Sequence, residues 1–499
     1  MNVTNHFRSL ILISQVVAFL YLASPLGAAG PLDELEAMVE EAFALNPRIE
    51  AARLRLDQLL ARHEATLAFF DPQLYGAASV AQRARGVPGS TAAGAIGNDA
   101  NVFQGGVEMP LQPGAYLSIG AAERYLREPG LDFGGLYQTL LGARLRIPLL
   151  RDRGFQQWTL VQTQALMQCH IAGDQLLLLM QQLRHDIELA YIAAQERSAN
   201  YNVAREATQR FQSLLDEARE LVHLKVVPEY QVFTALMEVE LQREAELSAR
   251  QALDVSLMRL GELIGDGREV TLADSATPLG NFAEDSVRLP DYPLRHSFEN
   301  RGDYRQIVNE IALAEAAVLA AEDELRSDLS LTVGTTWQGE NPRNPAGHRT
   351  LLSDRHLGSE VVLVWQRPFR RRGERSRLKE RQARLAELYE NLQTVELQIR
   401  TDLAVAASEF TAARARLGLA SSATAAAQQA LEAEQERFRL GTARSRNVLD
   451  AQKDLTVTKQ RQTSSAADLL RARSNYFFAT GYADRTVAMP TLSRSAHRE

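Results

Sequence analysis

Residues Leu329-Ser330-Leu331-Thr332-Val333-Gly334-Thr335-Thr336-Trp337 alternate without a break. The odd positions carry Leu329, Leu331, Val333, Thr335 and Trp337, and the even ones Ser330, Thr332, Gly334 and Thr336. Successive side chains on an extended chain point to opposite sides, so a two-residue period with one greasy and one polar face predicts a strand. The same period recurs over residues 141–149, where Leu141, Ala143, Leu145, Ile147 and Leu149 alternate with Gly142, Arg144 and Arg146. This pattern fits a membrane barrel strand, apolar toward lipid and polar toward water. It equally fits a half-buried strand of a soluble sheet, and the surroundings must decide.

Those surroundings lack helix breakers. No proline occurs between Pro148 and Pro228, or between Pro368 and Pro490. Glycine is sparse in the same spans: Gly154 and Gly173 in the first, then Gly373, Gly418, Gly441 and Gly481. Chains free of both breakers for so long form long helices or coiled coils. Heptads support this. Leu378, Leu385, Leu392 and Ile399 recur every seventh residue, with Tyr389, Leu403, Phe410 and Leu417 as a companion row. Val448, Leu455, Gln462, Leu469 and Tyr476 form another series, and Val232, Val239, Leu253 and Leu260 a fourth. Seven-residue spacing keeps an apolar seam facing a neighbouring helix. As one helix, Gly154 to Lys225 would run ~100 Å, too long for a compact core. The Ala-rich run from Ala423 to Ala430 permits close helix–helix approach.

The N-terminus reads as a secretory signal peptide over residues 1–29. Arg8 precedes the apolar runs Leu10–Ile13 and Val16–Ala23, and Gly27 and Ala29 suit a cleavage site. Beyond residue 30 no stretch approaches the ~20 apolar residues of a membrane helix. The mature chain is therefore soluble outside the cytoplasm or crosses a membrane by strands. The formal charge of -7 gives no basic excess for nucleic acid. Cys169 is the single cysteine, so no intramolecular disulfide forms, and it is expected as a half-buried helix residue. The nine histidines show no metal-ligand spacing, so no metal or other cofactor is expected, and no catalytic constellation or Walker-type glycine loop appears.

The order helix, strand, loop, strand, long helix, turn, helix occurs twice. The first copy is expected over residues 31–265, with strands within 73–150 and helices at 154–224 and 229–264. The second is expected over 299–481, with strands within 328–368 and helices at 374–440 and 446–480. Residues 266–298 connect them, and 482–499 form a polar tail. Leu141-Gly142-Ala143-Arg144 matches Leu357-Gly358-Ser359-Glu360. Pro228-Glu229-Tyr230-Gln231-Val232-Phe233-Thr234-Ala235 matches Arg444-Ser445-Arg446-Asn447-Val448-Leu449-Asp450-Ala451. The first copy is longer between its strands: residues 84–135 hold Gly105-Gly106-Val107 and Leu111-Gln112-Pro113-Gly114, which read as an added hairpin. The basic run Arg367, Arg370, Arg371, Arg372 and Arg375 is expected at a strand-to-helix junction at the membrane's periplasmic edge, where arginines snorkel or meet lipid headgroups; a phosphate-binding patch is the alternative.

Over residues 33–481 this layout resembles the TolC-type outer-membrane efflux family. The best matching segments are Phe438-Arg439-Leu440-Gly441-Thr442, Val448-Leu449-Asp450-Ala451-Gln452, and Asn475-Tyr476 through Gly481. The resemblance implies a mainly α protomer with a transmembrane β-barrel. Four barrel strands come from each chain, long coiled-coil helices stand in the periplasm, and a homotrimer closes twelve strands. Four strands alone would leave unpaired edges in lipid, which is prohibitive, so partners are required on physical grounds as well. The implied function is a passive exit channel of a tripartite efflux or type I secretion system. An inner-membrane RND or ABC transporter and a periplasmic adaptor, or membrane fusion protein, would supply the cargo.

The resemblance also assigns residues. By position, Asp450 falls on an acidic site lining the periplasmic aperture. Asn447 stands where the family often has a second aspartate, which leaves a single Asp450 ring modulated by Arg444 and Arg446. Phe438 replaces a frequent tyrosine, and Ala443 stands where some members have an arginine. The turns carrying Lys225, Val227 and Pro228, and Gly441, Thr442 and Ala443, are the expected adaptor-docking tips. A periplasmic coiled-coil scaffold without a pore is the competing class. A secreted enzyme is the third, and nothing in the sequence supports it.

Overall fold

The computed structural model describes residues 31–81, 99–111, 114–127, 136–224, 228–265, 267, 270–272, 289, 294–341, 357–367, 369–440, 442 and 444–482. The expected signal peptide lies outside them, as do most of the connecting segment and the tail beyond Tyr482.

Two helices, α1 (Pro31–Leu45) and α2 (Pro47–Leu67), and a 3-10 turn (Ala68–Phe70) lead into β1 (Gln73–Ala81), β2 (Asp99–Leu111), β3 (Ala115–Arg127) and β4 (Leu136–Pro148). Then come α3 (Gln156–His223), α4 (Tyr230–Ile264), α5 (Leu294–Asn300) and α6 (Gly302–Glu324). The chain closes with β5 (Asp328–Asn341), β6 (Leu357–Gln366), α7 (Arg372–Arg439) and α8 (Ser445–Ala479). The breaker-free spans are helical as expected. Both α3 and α7 are 68 residues long. At 1.5 Å per residue each extends ~100 Å. Among the described residues no helix is long and apolar enough to cross a membrane.

Residue contacts divide the chain into two compact units. One comprises the chain up to Glu50, Leu179–Ser297 and the chain from Thr401; the other comprises Ala51–Leu178 and Phe298–Arg400. Each unit draws on both repeats. The repeat is close: α3 and α7 begin and end 216 positions apart. Glycines 216 apart, Gly265 and Gly481, follow the ends of α4 and α8 with φ of 101° and 74°. That left-handed conformation suits a residue without Cβ. Gly265 also packs against Asn46, whose amide donates to the Leu263 carbonyl at 2.9 Å and whose Oδ1 caps the start of α2 through the Arg48 amide.

In the first unit the helices pack as antiparallel pairs. Phe211, Leu214 and Leu215 of α3, Val239 of α4, Leu431 of α7, and Val448, Leu449 and Leu455 of α8 form one buried cluster. Ile192, Phe410, Ala413, Ala466, Ala467 and Leu469 anchor another. Small residues let the backbones approach. Thr208 Oγ1 reaches the Gln242 carbonyl at 3.3 Å, and its repeat equivalent Thr424 reaches the Thr458 carbonyl at 3.1 Å. Over the whole chain, counting both units, the heptad positions Ile399, Phe410, Val448, Leu455, Leu469, Val239 and Leu260 are buried, while Tyr389 is exposed. Cys169 is fully buried rather than half-buried.

A charged network is also largely buried in this unit, with Glu36 reaching solvent. Arg184 and Glu188, each 5% exposed, pair at 3.2 Å. Arg184 also reaches Glu36 of α1 and lies over the Tyr482 ring. Ser474 Oγ donates to Glu188 at 2.6 Å and stands 3.0 Å from Nδ1 of His185. Buried ions persist only when each has such partners, and here the partners come from α1, α3, α8 and the residues just after it.

In the second unit the strands form one antiparallel sheet in the order β1-β2-β3-β4-β5-β6. The four strands expected from the repeats are β1, β4, β5 and β6. The hairpin expected within 84–135 supplies β2 and β3, and these pair with β1 and β4 rather than standing apart. The strands per chain therefore rise from the expected four to six. The reason lies in the insertion itself, which carries two strand-length alternating segments. β1 and β5 begin 255 positions apart, whereas Leu141 and Leu357 are 216 apart, so the first repeat is 39 residues longer at this point.

Candidate functional site

The register sorts the sheet's side chains into two faces, because directly paired residues point the same way. One row runs Leu74, Val107, Ile119, Ala143, Thr335, Ser359, and the next Gly76, Gly105, Ala121, Leu141, Trp337, Leu357. A third runs Met109, Leu117, Leu145, Val333, Val361. Between these rows the face is apolar across all six strands, Glu123 beside Phe103 beyond the Trp337 row being a charged exception, yet it is bare: Leu74 is 84% exposed, Val361 73% and Trp365 63%. An apolar surface of this extent, uncovered in a single chain, marks a face built for a non-aqueous neighbour or a partner. Trp337 and Trp365 bracket it. Trp337 pairs with Leu357, eight residues along β6 from Trp365. That is ~27 Å of strand, or ~21 Å along the membrane normal at a tilt of ~40°, close to the ~25 Å apolar band between the aromatic girdles of membrane barrels. Tyr125 and Tyr137, ring centroids 4.6 Å apart, stand beyond Trp337 on the same face.

The opposite face carries most of the sheet's charged groups, interspersed with Tyr116, Leu140, Val362 and Val364. Its charged row runs Gln73, Glu108, Ser118, Arg144, Gly334, Glu360. Glu360 leans over Gly334, where a Cβ would lie 2.9 Å from its Oε1, and meets Arg144 at 3.1 Å. The adjacent row is Tyr75, Gly106, Gly120, Gly142, Thr336, Gly358. The Tyr75 hydroxyl lies across Gly106 and Gly120, where a Cβ would stand 2.8 and 2.6 Å from it. A glycine row lets a sheet bend sharply. A groove of about 180 Å³ follows it, lined by Tyr75, Gly120, Gly142, Arg144, Thr336 and Glu360. Sequence reasoning gave no role to Glu360 or Tyr75. The matched repeats did align Arg144 with Glu360, an opposite-charge exchange that could have signalled the pair.

The junctions between sheet and helices are held rigidly. Phe155 and Arg371, again 216 positions apart, take φ of 58° and 43° without being glycine. Such conformations persist only when packing over-determines them. Phe155 is buried among Phe69, Phe70 and Tyr116, with ring centroids 5.1–5.9 Å away. Trp158 Nε1 donates to the Thr66 carbonyl at 3.0 Å. The Asp152 amide donates to Asp323 Oδ2 at 2.7 Å. Arg371 donates to the Leu325 carbonyl and to Ser327 Oγ. Arg371 is thus tied to the chain between α6 and β5 rather than free for headgroups; Arg367, Arg370, Arg372 and Arg375 are exposed. Fully exposed Phe369 stands beside them.

The expected aperture residues lie at the start of α8. Val448 and Leu449 are buried in the helical core, while Arg444, Arg446, Asn447 and Asp450 are exposed. Arg446 and Asp450, one turn apart, approach to 3.9 Å. Asn447 and Asp450 are three residues apart and so share a helix face. Of the expected docking tips, Pro228 and Thr442 are described, and the Thr442 amide and hydroxyl both donate to the Arg437 carbonyl at 2.9 Å. Lys225, Val227, Gly441 and Ala443 lie outside the described residues. Next to Val448, a cavity of about 130 Å³ is lined by Arg210, Glu217, Phe438 and Gln452. Among the described residues the Gln452 Oε1 there has no hydrogen-bond partner.

No protein-family model and no curated protein matches this chain; the likeness is structural. The transmembrane channel protein CusC superposes with a TM-score of 0.66 at 14% identity, covering 90% of this chain and 92% of its own. The outer membrane protein VceC of Vibrio cholerae gives 0.63 at 15% identity, covering 90% and 96%. The open state of the MtrE outer membrane channel of Neisseria gonorrhoeae gives 0.62 at 15%, covering 90% and 88%. The chain has the fold of these channels over nearly its whole length.

Proposed function

We propose that this chain, with its TolC-type channel fold, is a passive exit channel of the outer membrane. One observation carries the reading. The six-stranded sheet has an uncovered apolar face bracketed by Trp337 and Trp365, and a polar face bearing Arg144 and Glu360. In a bilayer the first face contacts lipid and the second lines water. Among the described residues the edges at β1 and β6 are unpaired within one chain. Open edges do not occur in hydrocarbon, so copies of the chain pair edge to edge, three of them in our reading. A soluble scaffold would leave the apolar face unexplained.

The helical part then stands in the periplasm. There the Asp450 carboxylates of three copies converge at the aperture, with Asn447 on the same face and Arg446 within reach of each carboxylate. Like charges brought together repel one another and attract cations, so the ring favours a hydrated, cation-attracting constriction. Energy comes from elsewhere: an inner-membrane pump of the RND or ABC kind, joined through an adaptor that grips the turns around Pro228 and Thr442. The test is single-channel recording in a planar bilayer. Stable conductance steps are expected, and Asp450→Ala should change cation preference and divalent block. If no steps appear, the channel reading fails; if steps appear but Asp450→Ala leaves them unaltered, only the aperture assignment fails.

A further inference from the structure

We infer that the β2–β3 hairpin is part of the membrane-crossing wall, so that three copies close eighteen strands, six from each. The inference rests on the outer-membrane trimer proposed above and specifies its bore.

The backbone groups of β1 that would meet β4 in a four-strand arrangement are taken by β2, and those of β4 by β3. Both inserted strands carry the two-faced pattern in phase with their neighbours. Phe103, Val107, Met109, Leu117 and Ile119 share the apolar face, and Gln104, Glu108 and Ser118 the polar one. Each inserted strand is 13 residues long. A tilted barrel strand needs ~9–11 residues to span the hydrocarbon.

The hairpin is also seated at its turn. Gly114, at φ 114°, lies so close to Gly154 that a Cβ would stand 2.6 Å from the Gly154 nitrogen. Tyr116 packs edge-on against Phe155 at 5.1 Å. The Tyr75 hydroxyl over Gly106 and Gly120 then locks β1, β2 and β3 together on the polar face. A surface loop has no use for such a register or such contacts.

The bore follows from strand number. With strands ~4.8 Å apart and tilted ~40°, twelve strands give a backbone diameter of ~24 Å and eighteen give ~36 Å. Barrels of 16–18 strands leave an open aqueous channel even with side chains inside. The exit of this channel therefore admits bulky hydrated solutes, on the order of 20 Å across.

Cysteine pairs in a Cys169→Ser background test the wall directly, in the full chain purified from membranes. Ser118→Cys with Arg144→Cys should form a disulfide, visible as a gel shift reversed by reductant, because these residues are paired in register. Tyr75→Cys with Gly142→Cys should not, since two strands separate them, a gap of ~14 Å. The reverse outcome, or no bridge between positions 118 and 144, overturns the inference. A strand count by electron microscopy in lipid nanodiscs separates the two readings. Eighteen strands support the wider bore, and twelve with 99–127 outside the wall overturn it while leaving the channel intact. A protein that forms no barrel overturns both.

Discussion

Arg144 and Glu360 hold equivalent positions in the two repeats, 216 residues apart, and their side chains meet at 3.1 Å above Gly334 of the strand between them. Both are well exposed. Exposed pairs contribute ~0–1 kcal/mol, so the pair matters to the field in the lumen more than to folding. Glu360→Lys should shift the reversal potential under a salt gradient toward anions. The melting temperature should move by no more than a few degrees. A large loss of stability with unaltered selectivity would place the pair in a structural role.

The two faces predict opposite tolerances. Leu363→Arg puts a charge on the apolar face, where it should cost ~2–4 kcal/mol near the bilayer midplane. Heat-stable oligomer in the membrane fraction should fall accordingly. Thr332→Arg, on the polar face, should assemble normally. Equal behaviour of the two would mean that lipid does not cover either face.

The largely buried charge network sets a third expectation. Arg184→Ala removes the partner of Glu188, which is 5% exposed, and of Glu36. Breaking a buried pair typically costs ~3–5 kcal/mol, because an ion is left desolvated. Ser474 and Tyr482 still donate to Glu188, so the loss should fall at the lower end. Chemical denaturation followed by helical signal measures it. A change below ~1 kcal/mol would show that water reaches the site.

His185 gives a pH dependence of definite sign. Burial against Phe478 and Ser474 holds its imidazole below the ordinary value of 6.5, although Glu188 and Asp186 pull the other way. The unfolded chain therefore takes up a proton first as pH falls. Above 6.5 the group contributes its full stability, which is lost progressively as pH drops toward the folded value. Melting temperature should fall on acidification through this window, and His185→Gln should flatten that part of the profile. An unchanged slope would remove His185 as the cause.

Much of this was legible from residue order. Proline-free spans marked α3 and α7 because helix continuity is a local property, and the Leu329–Trp337 alternation marked β5 for the same reason. The fate of the insertion was not legible. Gly105-Gly106 and Pro113-Gly114 announced a hairpin, but whether it pairs with β1 and β4 is a long-range choice that no local period records. The glycine row across four strands was invisible for the same reason: Gly106, Gly120, Gly142 and Gly358 become neighbours only once the register is set. The basic run around Arg371 showed charge without geometry. Its positive φ and its hydrogen bond to Leu325 depend on where α6 ends. At the aperture, position along α8 was readable, but the convergence of Asp450 residues depends on other copies of the chain.

The central claim is that one face of the sheet meets lipid and the other water. Single cysteines placed at positions 357–366 of β6, with Cys169 replaced by Ser, test it in native membranes with a water-soluble thiol reagent. The account predicts alternation: Leu357, Val361, Leu363 and Trp365 substitutions shielded, and Gly358, Glu360, Val362 and Val364 substitutions labelled. Uniform labelling along the strand, or recovery of the protein in the soluble fraction without detergent, would contradict it.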